Sequence, residues 1–294
     1  KKYLIFIQMK QILLKSYAKI NLFLNVGKKI KNRRLHNIQS LIFLLNLNDQ
    51  IKINSINSSK DIVKFIGKFK NHIKKKKNSV SKSITLLRKK NLIKKNENYR
   101  ITVKKNIPVF SGLGGGSSNA STIIKYFLKD KKITDNNISF FSKYLGSDVI
   151  LFFKSKKIFQ KKLNKILNYR KNYNFYFLLV YPNLKCSSKA IYLKVNKFDK
   201  ITNKNHYVNK SRLSLVKALK FEKNSLEKIV TSKFPVIGKI LTEIEMLKNC
   251  QFSRLTGSGS TCFGLFLSKK DGVSALRRIK KKFPNFWCVL CKSI

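Results

Sequence analysis

Alternating apolar and polar residues mark the first clear element of the chain, at residues 17–26. Apolar residues occupy every even position from Ala18 to Val26, and mostly polar residues, including Lys19 and Asn21, occupy the odd positions. A period of two residues is typical of a β-strand. The pattern therefore predicts a strand with one buried face and one face that carries polar groups.

Short apolar runs predict more strands in the first half of the chain, at 41–45, 50–53 and 100–103. The lysine- and serine-rich stretch 55–83 has little pattern and predicts a loop that leads into a helix at about 83–92. Helical spacing of apolar residues after Ser117 predicts the next helix. A further helix is predicted at 135–145, with Gly146 as its C-terminal cap, followed by an apolar strand at 149–153.

The hydrophobic pattern begins afresh beyond about residue 159. It predicts strands at 175–181, 262–267 and 286–290, helices at 236–248 and 273–281, and a glycine turn at 256–260. The chain is therefore predicted to be an α+β protein with two domains, residues 1–160 and 161–294.

The composition narrows the class of protein. The 294 residues are 43% hydrophobic, and no apolar run reaches the roughly 18 residues of a membrane span, so we expect a cytoplasmic protein with no membrane partner. Five scattered cysteines are typical of reduced thiols. The net charge of +53 comes mostly from lysines spread along the whole chain, whereas a nucleic-acid footprint is concentrated on one face, so no specific nucleic-acid partner is predicted. Met9 is a second possible start of the chain.

A glycine-rich loop stands between a predicted strand and a predicted helix. Unpaired amides and the positive end of a helix dipole bind phosphate, and glycine lets the phosphate approach closely. The loop lacks the Gly-Lys-Ser/Thr of the Walker-A motif and the glycine spacing of the dinucleotide fingerprint. The predicted ATP-binding residues are Pro108, Val109, Phe110, Ser111, Gly112, Leu113, Gly114, Gly115, Gly116, Ser117 and Ser118.

Four motifs together resemble those of the GHMP kinases: 18–24, 108–120, 145–149 and 255–262. Within that superfamily the Ala-Lys-Ile-Asn-Leu strand at 18–22 is most similar to the branch that phosphorylates a cytidine diphosphate-linked methylerythritol for isoprenoid synthesis. The resemblance implies a ribosomal-protein-S5-domain-2-like ATP-binding domain followed by a ferredoxin-like α/β sandwich domain. It also implies ATP and Mg²⁺ as cofactors.

The resemblance implies that Lys19 and Asp148 act together in catalysis. Phosphoryl transfer needs positioning, charge neutralisation and a group that deprotonates the attacking hydroxyl. Asp148 precedes the apolar run 149–153, where a charge without a function is costly. We therefore expect Asp148 to be the base and Lys19 to hold it charged. Either Ser118 or Asp148 is a possible ligand of a Mg²⁺ ion that ATP carries.

For the acceptor, the resemblance implies a cytosine that lies between aromatic rings and contacts a histidine. The matching residues are His36 and Tyr192, and the implied contacts to the rest of the acceptor come from Asn21, Gly257, Ser258 and Gly259. The chain departs from the family before His36, because Arg33, Arg34 and Leu35 stand where the family has Asp-Gly-Tyr. Loss of that tyrosine removes a stacking partner worth about 1–3 kcal/mol.

Two other functions remain open at this point. A different GHMP kinase would phosphorylate a mevalonate-type or homoserine-type acceptor. A basic RNA-binding protein on the same N-terminal fold would bind RNA with a steep salt dependence and release no ADP. We expect a monomer or a weak homodimer.

Overall fold

The described part of the chain leaves short gaps. A computed structural model describes residues 12–30, 35–74, 78–128, 133–163, 165–169, 171, 173–204, 207 and 209–294. Met9, Arg33 and Arg34, which the sequence analysis singled out, lie outside these residues. Among the helices in these ranges, none is long and apolar enough to cross a membrane.

The first half of the chain forms a seven-stranded sheet. Its strands are β1 (Ile12–Asn21), β2 (Asn25–Lys29), β3 (His36–Ile56), β4 (Ile62–Ile66), β5 (Asn98–Lys104), β6 (Lys157–Lys162) and β7 (Lys165–Asn168). Strand β3 pairs with β1, β2, β5 and β6, all antiparallel, whereas β4 and β5 are parallel. The helices are α1 (Ser79–Lys89), α2 (Gly115–Phe127) and α3 (Asp135–Leu145), with 3₁₀ helices at Lys70–His72 and Ser147–Phe153.

The second half forms a four-stranded antiparallel sheet with the order β11-β8-β10-β9. Its strands are β8 (Tyr176–Tyr181), β9 (Ser253–Leu255), β10 (Cys262–Phe266) and β11 (Trp287–Lys292). Its helices are α4 (Ser188–Leu193), α5 (Arg212–Lys220), α6 (Glu227–Lys233), α7 (Pro235–Glu245) and α8 (Lys269–Lys282). The predicted two-domain α+β architecture is confirmed. The division between residues 160 and 161 stays a prediction, and β6 spans it.

One hydrophobic cluster joins the two halves, because Ile20 of β1 packs in the same core as Phe177 of β8 and Phe263 of β10. The buried Arg254 of β9 strengthens this junction, since its guanidinium donates to the carbonyl oxygens of Leu22, Leu219 and Glu222. These contacts therefore fix the position of one sheet relative to the other.

Several predicted elements were correct. Helix α3 has the predicted bounds, Gly146 caps it with a positive φ of 114°, and strands β8, β10 and β11 and helices α7 and α8 lie within a few residues of the expected positions. The single strand predicted at 17–26 was wrong in one respect, because the segment contains the end of β1, a break at 22–24 and the start of β2. Its polar face is also buried, with Lys19 and Asn21 each only 4% exposed.

Other predicted elements were wrong. The segments 41–45 and 50–53 belong to the single strand β3, and the predicted loop 55–83 contains β4 and the start of α1. Helix α1 starts at Ser79 because the Asn78 side chain caps it and accepts a hydrogen bond from Ser81 N. The apolar run 149–153 lies in a 3₁₀ helix, not a strand. A short apolar run does not distinguish the two conformations.

Candidate active site

The glycine-rich loop leads directly into helix α2, as the phosphate-binding prediction requires. The N-cap residue Gly114 has φ of +71°, and Gly112 has φ of +79°, a left-handed conformation that suits glycine. Gly116 is exposed and Ser117 is half-buried at the first turn. The first turn carries no acidic residue. The amides of this turn can therefore donate hydrogen bonds to an anion, and no acidic side chain of the first turn repels it.

The second glycine turn, residues 256–260, packs against the first. A β-carbon added at Gly112 would lie 2.3 Å from the carbonyl oxygen of Thr256 and 3.1 Å from that of Gly259. Across the same contact, the amide of Thr261 donates to the carbonyl oxygen of Ser111 at 3.2 Å. The second turn therefore fills the space that a side chain at Gly112 would need, and the two glycine turns form one continuous surface.

Lys19 lies between these two turns. A β-carbon added at Gly114 would be 2.9 Å from Lys19 Cγ, and one added at Gly257 would be 3.3 Å from Lys19 Nζ. The Lys19 ammonium donates to Asn21 Oδ1, and the Asn21 amide nitrogen Nδ2 donates to Ser40 Oγ at 2.8 Å. These contacts fix the position of the ammonium group.

Asp148 faces Lys19 from the other side of the site. Lys19 Nζ and Asp148 Oδ2 are 3.8 Å apart, and the Asp148 side chain is 45% exposed while that of Lys19 is 5% exposed. Burial lowers the pKa of Lys19 from its usual 10.5, and the charge of Asp148 opposes this shift. The structure thus brings together two residues that are far apart in sequence, with the carboxylate on the side open to a ligand.

Helix α2 also positions Asp148. The Ser121 hydroxyl of α2 donates to the carbonyl oxygen of Val149 at 3.0 Å, and the Lys125 ammonium donates to that of Phe152. Both acceptors lie in the 3₁₀ helix that carries Asp148. One helix therefore holds the glycine-rich loop at its N-terminus and the Asp148 carboxylate along its side.

An aromatic cluster around His36 adjoins this pair. The ring of His36 is 5.9 Å from that of Tyr192 and 5.6 Å from that of Phe198, with interplanar angles of 30° and 31°. Burial, and to a smaller extent the charge of Asp148, raises the pKa of Tyr192. The His36 Nδ1 atom lies 3.1 Å from the carbonyl oxygen of Gly27. A carbonyl only accepts, so neutral His36 carries its proton on Nδ1 and leaves Nε2 as an acceptor.

Phe198 is a ring that the sequence analysis missed. Its neighbour Asp199 anchors it to β2, because Asp199 Oδ2 accepts from Val26 N and Asp199 N donates to Val26 O, both at 2.8 Å. The Phe198 side chain is 42% exposed. A polar segment that contains one aromatic residue next to an aspartate was the available signal, but it does not predict where the ring lies.

The remaining predicted acceptor residues also lie here. Ser258 Oγ is 2.7 Å from Ser188 Oγ, at the start of the helix α4 that carries Tyr192. Asn21 N donates to Thr256 Oγ1 at 3.0 Å, which ties β1 to the second glycine turn. Leu35, which stands where the resemblance implies a tyrosine, is 42% exposed.

The described residues offer few side chains that could hold a metal ion. Among the described residues, no group of three or more His, Cys, Asp or Glu side chains is arranged to hold a metal ion. Ser118 is 2% exposed and its hydroxyl accepts a hydrogen bond from Ser16 Oγ at 2.8 Å. One exposed carboxylate with one hydroxyl fits a Mg²⁺ ion that is held mainly by nucleotide phosphates, and it does not fit a metal site made by the protein alone.

Comparison with known proteins identifies the family of the chain. Residues 78–153 match the family model of the GHMP kinases N terminal domain, and residues 205–285 match that of the GHMP kinases C terminal. A protein of Pelagibacter ubique named 4-diphosphocytidyl-2-C-methyl-D-erythritol kinase is 39% identical over 97% of this chain and all of its own length. A protein of Anaplasma marginale with the same name is 32% identical over 92% of this chain and 93% of its own.

Two solved structures have the same fold. A crystal structure of 4-(cytidine 5'-diphospho)-2C-methyl-D-erythritol kinase has a TM-score of 0.73 at 19% identity and covers 95% of this chain and 99% of its own. The homoserine kinase of Cytophaga hutchinsonii has a TM-score of 0.74 at 15% identity and covers 98% of this chain and 95% of its own. At these identities the likeness describes the fold and does not separate the acceptors.

Proposed function

This chain belongs to the 4-diphosphocytidyl-2-C-methyl-D-erythritol kinases, a family of GHMP kinases, and from that membership we propose how its residues act. The chain is an ATP-dependent kinase whose acceptor is 4-diphosphocytidyl-2-C-methyl-D-erythritol. The γ-phosphoryl group goes to the 2-hydroxyl of the acceptor, which gives the 2-phosphate and ADP in the non-mevalonate route to isoprenoid precursors.

The observation that supports this mechanism is the Lys19–Asp148 ion pair of 3.8 Å between the two glycine turns. The amides at the start of α2 bind the nucleotide phosphates, and the exposed carboxylate of Asp148 accepts the proton of the attacking hydroxyl. Lys19 keeps that carboxylate ionised and oriented. Its ammonium also offsets charge that develops on the transferred phosphoryl group.

We propose that Mg²⁺ accompanies ATP. When bound, the ion neutralises charge on the phosphate oxygens. Asp148 and the Ser118 hydroxyl are the protein groups that could reach it. The buried hydrogen bond from Ser16 to Ser118 orients that hydroxyl.

The acceptor base is held by the aromatic cluster of His36, Tyr192 and Phe198. His36 Nε2 accepts a hydrogen bond from the exocyclic amine of cytosine, because its Nδ1 is occupied by the carbonyl of Gly27. Phe198 provides a ring in place of the tyrosine that Leu35 replaces. The turn at Gly257, Ser258 and Gly259 and the side chain of Asn21 then contact the reacting end of the acceptor.

A coupled ADP-release assay tests the function directly. We expect turnover with 4-diphosphocytidyl-2-C-methyl-D-erythritol and at least a hundredfold smaller kcat/KM with mevalonate or homoserine, roughly 3 kcal/mol of discrimination. Preference for either of the other two acceptors would reject the assigned substrate. Tight RNA binding without any ADP release would reject the kinase mechanism as a whole.

A further inference from the structure

A buried ion pair lies beside the glycine-rich loop, and the mechanism above does not use it. Asp49 of β3 is fully buried, and Lys105, which follows β5, is 3% exposed. Lys105 Nζ forms an ion pair with Asp49 Oδ2. Both side chains are therefore removed from solvent next to the predicted nucleotide site.

The other oxygen of Asp49 holds the chain where the loop begins. Asp49 Oδ1 accepts hydrogen bonds from the amides of Asn106 at 2.8 Å and Ile107 at 2.9 Å. Pro108, the first residue of the predicted ATP-binding loop, follows immediately. One carboxylate thus fixes two successive peptide units at the entrance of the loop.

The ammonium of Lys105 lies under the first residue of α2. A β-carbon added at Gly115 would lie 3.3 Å from Lys105 Nζ and 3.0 Å from Ile107 Cγ2. The neighbouring Gly114 makes the equivalent close approach to the side chain of Lys19. The ammonium of Lys105 and the methylene chain of Lys19 therefore approach two successive residues at the positive end of the same helix.

Stability alone does not account for this pair. Removing two charges from water costs several kcal/mol per ion, and replacing a buried ion pair with apolar residues is often neutral or stabilising. Burial lowers the pKa of Lys105, and only the adjacent Asp49 opposes that shift. A function at the loop explains why an arrangement so costly to bury lies at this position.

We propose that Lys105 and Asp49 are positioning residues for the nucleotide. Asp49 fixes the entrance of the phosphate loop, and Lys105 adds positive charge beneath the first turn of α2, where the phosphates of ATP bind. This role requires no contact of either side chain with ATP or the acceptor. The inference rests on the proposed assignment of residues 108–118 to the nucleotide.

The decisive variant is the double substitution Lys105→Met with Asp49→Asn, which removes both charges and leaves neither one unpaired. We expect it to fold, to raise KM for ATP about ten- to hundredfold, and to leave KM for the acceptor and kcat within about threefold of wild type. Each single substitution leaves a buried charge unpaired, so we expect a lower Tm as well as a raised KM for ATP.

Asp61→Asn is the matched control. The Asp61 carboxylate also accepts from a cation, Arg88, and from a backbone amide, that of Tyr99 at 2.9 Å, but it faces the C-terminal end of α1. Its loss should lower Tm without changing KM for ATP.

Two results for the double variant would overturn the inference. A double variant that does not fold, or that folds with the wild-type KM for ATP, would show that the pair serves stability alone. Wild-type enzyme that releases no ADP with the assigned acceptor would instead contradict the proposed function, so the two failures are distinguishable.

Discussion

Replacement of Asp148 by asparagine separates the chemical step from nucleotide binding. The Lys19–Asp148 distance of 3.8 Å corresponds to about 4 kcal/mol at an effective dielectric constant of 20. Because the Asp148 side chain is 45% exposed, solvent screening reduces this to roughly 1–2 kcal/mol. Asparagine loses that attraction and also the ability to accept the proton.

We therefore expect Asp148→Asn to lower kcat by about 10²- to 10⁴-fold. Binding of ADP, measured by calorimetry, should change by less than about threefold, because the phosphate loop is intact. Asp135→Asn is the control, since that carboxylate is 92% exposed and its ion pair with Lys154 at 3.4 Å lies on the surface. If the Asp148 variant turned over at the wild-type rate, Asp148 would not be the base.

Three further variants or conditions test other parts of the site. Phe198→Ala should raise KM for the acceptor about ten- to hundredfold with little change in kcat, because a base loses about 1–3 kcal/mol of stacking. Phe221→Ala, at a ring that is 92% exposed, should change neither KM for the acceptor nor kcat. Equal effects of the two substitutions would contradict a role of the aromatic cluster in acceptor binding. Arg254→Met should lower Tm by about 5–10 °C in calorimetry because three carbonyl groups lose the hydrogen bond from the buried guanidinium, whereas the exposed Arg277→Met should not. Finally, the proposed role of Lys19 requires its charged form, which is present below its pKa and is lost as pH rises. Because burial lowers that pKa, kcat should fall with rising pH below 10.5. A rate that stays constant up to pH 10.5 would contradict this role.

The parts of the site that are local in sequence were predictable. The glycine-rich loop is one example, because left-handed turns and free amides are properties of those residues and not of their neighbours. That it binds phosphate stays a prediction. Lys19 and Asp148 were predictable as a pair only through the family resemblance, since nothing local to either residue indicates a partner so far along the chain.

The long strand β3 was not predictable from periodicity. Asn46, Asn48 and Asp49 interrupt its hydrophobic pattern, and a cluster of such residues normally indicates a turn. The strand continues because Asp49 is compensated by Lys105 and by two backbone amides. Tertiary contacts with residues that directly follow another strand, β5, thus override the local signal.

The position of Phe198 depends on the same kind of information. Asp199 imitates a strand partner for Val26, and Gln39 Nε2 donates to the carbonyl of Thr202 at 2.7 Å, so the segment lies across β2 and β3. No periodic pattern in the segment encodes these contacts. Local sequence therefore predicts the geometry of the glycine-rich loop better than that of the aromatic cluster.

The contact between the two glycine turns has a consequence for how such a kinase can diversify. Gly112 belongs to one half of the chain, and the carbonyl groups of Thr256 and Gly259 that fill its missing side-chain volume belong to the other. Recombination that joins halves from different kinases must therefore preserve both Gly112 and the backbone of the second glycine turn. New acceptor specificity can arise more readily around Tyr192 and Phe198, where side chains can change without disturbing it.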